Sequence, residues 1–258
     1  MNIEKMSFSC SREQFVIKGF EYKCEKNNRI PVIMSHAFMS NQKIMRKYAV
    51  ALAKEGYVVY TYDFCGGALL GRSDGKFSDM SIDTEKNDLK AVIEYVEKLS
   101  YVDISSLILL GASQGGFVSC LVSAEYQERI KKLILLYPAL CIPDNAREGK
   151  MLMMEFNPEY IEETFVSRPF KFSAKYPESA IGINIYHEIE KIKIPMFIIH
   201  GDADRIVDVD YARRAIDATV NSSSKLVVLE KAGHGFNKKQ FREAIGYIIE
   251  YLKNSDNN

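Results

Sequence analysis

Short apolar runs take turns with amphipathic ones along most of the chain. Residues 30–35 (IPVIMS) read as a buried strand, 107–110 as an apolar strand, and 57–63 (YVVYTYD), 133–137, 195–200 and 225–229 as further strands. Between them, residues 41–55, 79–100, 115–126, 209–219 and 239–252 carry helical patterns; in the second, Leu89, Val92, Ile93 and Val96 fall on one face. Gly56 stands where a helix over 41–55 would need its C′ residue. Residues 8–23 alternate loosely around Gly19 and predict an antiparallel hairpin or edge pair. Strands apolar on both faces, alternating with helices, predict a mostly parallel central sheet covered by helices on both sides. The rhythm breaks over residues 141–190, where Pro143, Pro158 and Pro169, a methionine cluster (Met151, Met153, Met154) and several aromatics occur without a clear strand. An insertion of that length between two sheet strands predicts a lid or cap.

Length and composition narrow the picture. A chain of 258 residues suits one α/β domain, here 1–258 with the 141–190 lid inside it, and is short for two large ones. Basic and acidic residues balance at 34 each, so no charge excess points to nucleic acid or an anionic membrane surface. The start, MNIEKMSFSC, lacks a cationic-then-apolar pattern, which predicts no secretory signal, and no apolar run is long enough to cross a bilayer. The five cysteines are odd in number and form no C-x-x-C pair, which predicts a reduced, cytoplasmic chain. The oligomeric state stays open, a homodimer included.

The strongest chemical signal is LILLGASQGG. An apolar strand runs into Gly111-Ala112-Ser113-Gln114-Gly115 and a helix follows, which is G-x-S-x-G in the strand–turn–helix context of a nucleophile elbow. A serine there projects above the sheet from a tight turn, and the flanking positions must be small. This identifies the α/β-hydrolase fold and makes Ser113 the candidate nucleophile. Such a serine needs a base, and the base an orienting acid, in the chain order Ser, acid, His. Of the four histidines, His36 precedes the serine, His187 lies in the lid, and His200 ends a predicted strand as a buried structural residue. His234, in the glycine-flanked loop KAGHGF after the last predicted strand, is the candidate base. FIIHGDADRIV offers Asp202 and Asp204; the H-G-x-x-D-x-x-V spacing selects Asp204 and leaves Asp202 as a turn residue. A calcium loop is rejected, because its sixth position is Val207 and no glutamate closes it. No metal or other cofactor is expected.

An oxyanion needs two preorganised N–H donors. The amide of Gln114, directly after the serine, and that of Phe38, in the loop after IPVIMS, are the candidates. The loop Cys65-Gly66-Gly67-Ala68-Leu69-Leu70-Gly71 is glycine-rich but is not G-x-G-x-x-G, and its expected role is only to shape the chain.

Taken together, SHAF after the early strand, YDFCGG…GRSDGKFSDMS, GASQGG, HGDADRIV and GHGF resemble the bacterial cinnamoyl/feruloyl esterases among the α/β-hydrolases, over nearly the whole chain. The resemblance implies hydrolysis of hydroxycinnamate esters through an acyl-enzyme, without a cofactor and on a small-molecule ester. It also implies that a lid aspartate and a lid tyrosine contact the ring hydroxyl, and Asp144 and Tyr176 fall in matching places. Two departures border the expected mouth: His36-Ala37 stands for the usual His-Gly, and GGALLG for a short G-H-G. A monoacylglycerol lipase or acyl-thioesterase would share the triad and differ in the lid. A non-catalytic small-molecule-binding scaffold of the same fold is the rival from another class. A peptidase is disfavoured because no second domain restricts access.

Overall fold

The structure, a computed structural model, describes residues 2–152, 154–167 and 170–255. Met153 of the methionine cluster and Pro169 lie outside the described residues. In chain order the elements are β1 (Ile3–Arg12), β2 (Phe15–Cys24), β3 (Pro31–Ser35), α1 (Arg46–Lys54), β4 (Val58–Tyr62), α2 (Ile82–Glu97), β5 (Ile108–Ala112), α3 (Gln114–Glu125) and β6 (Lys132–Leu136). Then come α4 (Ile142–Arg147), β7 (Lys150–Met151), β8 (Met154–Glu155), β9 (Thr164–Ser167), β10 (Phe170–Ser173), α5 (Lys175–Ile181) and α6 (Ile185–Lys191). The chain closes with β11 (Met196–Gly201), α7 (Val209–Ala218), β12 (Lys225–Leu229) and α8 (Lys238–Ser255).

Eight strands form one sheet in the order β1-β2-β4-β3-β5-β6-β11-β12. Pairing is antiparallel where β1 meets β2 and β2 meets β4, and parallel from β4 to β12. The inner strands bury both faces. Ile33, Tyr60, Leu109, Leu133 and Ile198 belong to one apolar cluster with α2, α3 and α7; their neighbours Met34, Val59, Leu110, Ile134 and Ile199 belong to another with α1 and α8. This is the predicted α/β-hydrolase architecture, helices covering both sides of a mostly parallel sheet. β4 lies on one side of β3 and β5 on the other. The chain therefore reverses its direction of travel across the sheet between β3 and β5, and loops leaving their C-terminal ends splay apart to leave a crevice.

Several boundaries shift from the sequence expectation for identifiable reasons. The hairpin predicted over 8–23 extends from Ile3 to Cys24, with Ile3 opposite Cys24. The helix predicted from 79 starts at Ile82, because the Ser81 hydroxyl accepts from the Thr84 amide at 3.1 Å and caps it. Asp79 instead closes a 3₁₀ turn, Phe77–Asp79. The helix predicted over 41–55 begins with a 3₁₀ turn, Gln42–Met45, before α1. The expectation of no strand within 141–190 is corrected: β7 pairs with β8 and β9 with β10 as two antiparallel ribbons. Strands of two and four residues are too short for a period of two to show in the sequence. Among the described residues no helix is long and apolar enough to cross a membrane, and all five cysteines are free thiols.

Candidate active site

β5 ends at Ala112 and α3 starts at Gln114, so Ser113 makes the entire turn between them. It does so at φ 52° and ψ −119°, a conformation that costs a non-glycine residue energy and persists only when its surroundings fix it. Three backbone bonds do so here. The Ser113 amide donates to Leu136 O at 2.9 Å, and its carbonyl accepts from the amides of Phe117 at 3.1 Å and Ala139 at 3.0 Å. Gly115 is required by close approach: a Cβ there would overlap the carbonyl oxygens of Ser35 and His36 at the end of β3. Gly115→Ala is expected to lower stability by ~3 kcal/mol, since both obstacles are backbone, and to remove most activity by tilting the turn. Thermal melting and ester hydrolysis on the same preparation check this; an unchanged melting temperature would contradict it.

Ser113, His234 and Asp204, separated in sequence by up to 121 positions, form one hydrogen-bonded row. His234 Nε2 lies 2.9 Å from Ser113 Oγ, and Nδ1 lies 2.7 Å from Asp204 Oδ2. With Nδ1–H donating to the carboxylate, Nε2 presents a lone pair to the serine hydroxyl, the arrangement that activates a serine. Asp204 is buried, and its Oδ1 accepts from the amides of Ile206 at 2.9 Å and Val207 at 3.0 Å. Burial pushes its carboxyl up, but hydrogen bonds from His200, His234 and these two amides outweigh burial and hold it well below the usual carboxylate range. Asp202, expected to hold its own turn, instead accepts at its carboxylate from the Lys231 amide, 29 positions away, at 2.6 Å.

The row opens into a cavity of about 190 Å³. Ala37, Phe38 and Gln114 line it beside Ser113 and His234, while Cys141, Ile142, Asn145, Met151, Leu152 and Tyr176 reach it from segment 141–190. Gln114 is the first residue of α3, so its amide is among those that a helix leaves without an intrahelical acceptor. The lining among the described residues contains no Asp, Glu, Lys or Arg. The walls are therefore suited to an uncharged ligand.

The two residues expected to contact a substrate hydroxyl fare differently. Asp144 does not line the cavity: its carboxylate accepts from Arg147 Nη2 at 2.6 Å and from the Tyr211 hydroxyl at 2.8 Å, on the far side of α4. The neighbouring Asn145 takes the place facing the cavity, because one step along a helix turns a side chain by about 100°. Tyr176 does line the cavity, yet it is buried, and its hydroxyl donates to Gln114 Oε1. The GGALLG loop stays off the cavity wall and bonds instead to the loop after β3, Leu69 N to Ser40 O at 2.7 Å.

Sequence reasoning missed two residues that support the row. Tyr137, at φ 38° after β6, packs its ring edge-on against His234 with centroids 4.9 Å apart. His200, read as a structural residue, is fully buried, but its Nε2 lies 3.4 Å from Asp204 Oδ2 while donating to Val207 O at 3.0 Å. The i,i+4 spacing of His200 and Asp204 was visible, but only the turn after β11 makes it a contact.

The chain is similar to known proteins. The family described as serine aminopeptidase, S33 (Hydrolase_4) matches residues 26–181. The AB hydrolase superfamily protein YisY of Bacillus subtilis is 26% identical over 260 residues, spanning 87% of this chain and 92% of its own. Human monoacylglycerol lipase ABHD6 is 23% identical over 283 residues, spanning 93% and 81%. Among solved structures, Est1E from Butyrivibrio proteoclasticus with bound ferulic acid aligns with a TM-score of 0.86 at 26% identity, covering 95% of this chain and 99% of that one.

Proposed function

We propose, from the premise that this chain belongs to the α/β-hydrolase family described as serine aminopeptidase, S33, that it hydrolyses esters of hydroxycinnamic acids through an acyl-enzyme on Ser113. Membership of the serine esterase and lipase class follows from the family and its relatives; the substrate and the residue roles are our reading. The observation that carries it is the Ser113–His234–Asp204 row on the wall of a compact, uncharged cavity.

In this reading His234 Nε2 takes the Oγ proton as Oγ attacks the ester carbonyl carbon. The carbonyl electron pair moves onto oxygen, where the amides of Phe38 and Gln114 donate to it. Collapse of the intermediate expels the alcohol, which leaves with the proton held by His234. Water then repeats the sequence on the acyl-serine, and the carboxylic acid departs. Segment 141–190 serves as the lid that walls the cavity around the acyl group. No step calls for a metal or an organic cofactor.

Three features support a compact aromatic acyl group. The cavity holds about 190 Å³, below the usual range of small-molecule sites, which leaves little room for an enclosed fatty chain. Phe38 and Tyr176 contribute aromatic walls, and Asn145 contributes the neutral donors and acceptor that a ring hydroxyl needs. Est1E binds ferulic acid on the same fold. A peptide with a free N-terminus would need a carboxylate that the described lining lacks. One observation favours monoacylglycerol instead: Leu152 and Ile206 line the cavity while 50% and 52% exposed, so apolar groups stand at its edge.

A panel of methyl ferulate, p-nitrophenyl butyrate and a monoacylglycerol tests the assignment. The highest kcat/KM is expected on methyl ferulate. A clear preference for the monoacylglycerol would replace the hydroxycinnamate reading with the lipase one. Hydrolysis of none of them by folded protein would leave the row without the chemistry assigned to it.

A further inference from the structure

A buried carboxyl stands behind the site with no cation paired to it among the described residues. Glu85, on the first turn of α2, is 1% exposed, and no ion pair reaches it among the described residues. Its Oε2 accepts from Gln114 Nε2 at 2.7 Å. The other end of the same amide, Gln114 Oε1, accepts from the Tyr176 hydroxyl. Both ends of the glutamine side chain are thus bonded to complementary partners. The Tyr176 ring also lies parallel to the Phe38 ring, with centroids 5.6 Å apart and planes 7° from each other. One tyrosine therefore touches both residues whose amides are read as the oxyanion donors, the first through a hydrogen bond and the second through its ring.

We propose that Glu85 is a positioning residue of the oxyanion hole: it anchors Gln114 and, through it, Tyr176, and so the loops that carry the Gln114 and Phe38 amides. The inference rests on the reading of Ser113 as nucleophile and of those amides as oxyanion donors. It also gives the glycine-rich loop a role. A Cβ on Gly67 would overlap Glu85 Oε1, so any larger residue there would push the carboxyl from its place. Burial raises the Glu85 pKa to about 8, with Asp88 adding to the shift and the bond from Gln114 opposing it. The groups around it do not supply a counter-charge. Asp88, one turn on, is tied to Arg12 Nε at 2.5 Å and to the Cys65 amide at 2.7 Å, and the phenols of Tyr62 and Tyr176 are buried and neutral.

Ionisation of Glu85 would put a negative charge one glutamine side chain away from the developing oxyanion, and the two would repel. The kcat of the wild type for p-nitrophenyl butyrate should then fall as pH rises through about 8. Glu85→Gln mimics the neutral acid and cannot ionise, so it should keep wild-type kcat near neutrality and lack that fall. Glu85→Ala should lower kcat about tenfold to a hundredfold at neutral pH with little change in KM. Tyr176→Phe keeps the ring on Phe38 and loses the anchor, so it should lower kcat even on this substrate, which has no acyl hydroxyl to bind. Stability offers a separate check. The folded pKa lies above the ordinary 4.5, so the contribution of Glu85 is full below that value and is lost as pH rises to about 8, and Glu85→Gln should melt higher than wild type above it.

The experiment is the pH dependence of kcat and KM for wild type, Glu85→Gln, Glu85→Ala and Tyr176→Phe, with Ser113→Ala alongside. The proposal is overturned if Glu85→Gln shows the same alkaline fall as wild type. It is equally overturned if Tyr176→Phe changes only the KM of methyl ferulate. An active Ser113→Ala enzyme would instead overturn the assignment of the nucleophile, so the two failures are distinct.

Discussion

Replacing Ser113 with alanine is expected to lower kcat for ester hydrolysis by about 10⁶, leaving a residual rate of about 10³ to 10⁴ over water from the oxyanion donors and the cavity. The attacking atom is lost and nothing else within the row can take its place: the other hydroxyl lining the cavity, on Tyr176, is bonded to Gln114. The fold should not register the change. The backbone of Ser113 is held by Leu136, Ala139 and Phe117 through its own amide and carbonyl, and alanine keeps all three bonds. Only the hydroxyl bond to His234 disappears, so stability should move by less than about 1 kcal/mol. Steady-state kinetics, with mass spectrometry after a fluorophosphonate label, provide the measurement. Wild type should gain one covalent adduct on Ser113 and the variant none. Adduct formation elsewhere, with activity to match, would assign the nucleophile to another residue.

Asp204→Asn is expected to cost about 10⁴ in kcat while leaving KM nearly unchanged. The surroundings of the carboxylate explain the size. Oδ1 accepts from two backbone amides, so the oxygen of an asparagine would remain there and its NH₂ would face His234. A donor at that place forces His234 to present a lone pair at Nδ1 and carry its proton on Nε2. The imidazole then cannot accept from the Ser113 hydroxyl, although every heavy atom is in place. His200 adds to the conflict, since its Nε2–H, 3.4 Å from Oδ2, would also meet a donor. Nitrogen chemical shifts of His234 would report the tautomer directly. A loss below about tenfold, with the wild-type tautomer retained, would mean that Asp204 does not orient the base.

The resemblance to feruloyl esterases rests partly on residues that do not touch the cavity. In the Ser73–Phe77 stretch, Ser73 Oγ donates to Asp63 O at 2.6 Å and accepts from the Lys18 amide at 2.8 Å, while Asp74 accepts from the Val16 amide at 2.9 Å. These bonds tie the loop after β4 to β2. The motif braces the scaffold, whereas Asn145, Tyr176, Leu152 and Met151 within segment 141–190 line the cavity. Asp144 and Asn145 are adjacent in sequence on helix α4, and only the turn of the helix decides which one lines the cavity.

Local chemistry in the sequence determined the sheet, its helices and the elbow. Short apolar runs alternating with amphipathic ones read as strands covered on both faces, and small residues around Ser113 between a strand and a helix read as the elbow turn. It also singled out Ser113, His234 and Asp204, because the order of elements in this fold places each at a strand's C-terminal end. What the sequence could not express were contacts between residues that share no local pattern. The pairing of Glu85 with Gln114 spans 29 positions, and that of Gln114 with Tyr176 spans 62. The edge-on contact of Tyr137 with His234 is likewise long-range. A lone glutamate on a helix reads as a solvated charge until packing removes the water around it. That burial turns it into a neutral anchor, and it is a property of the assembled layers, which bring α2, α3 and α5 to one place behind the serine.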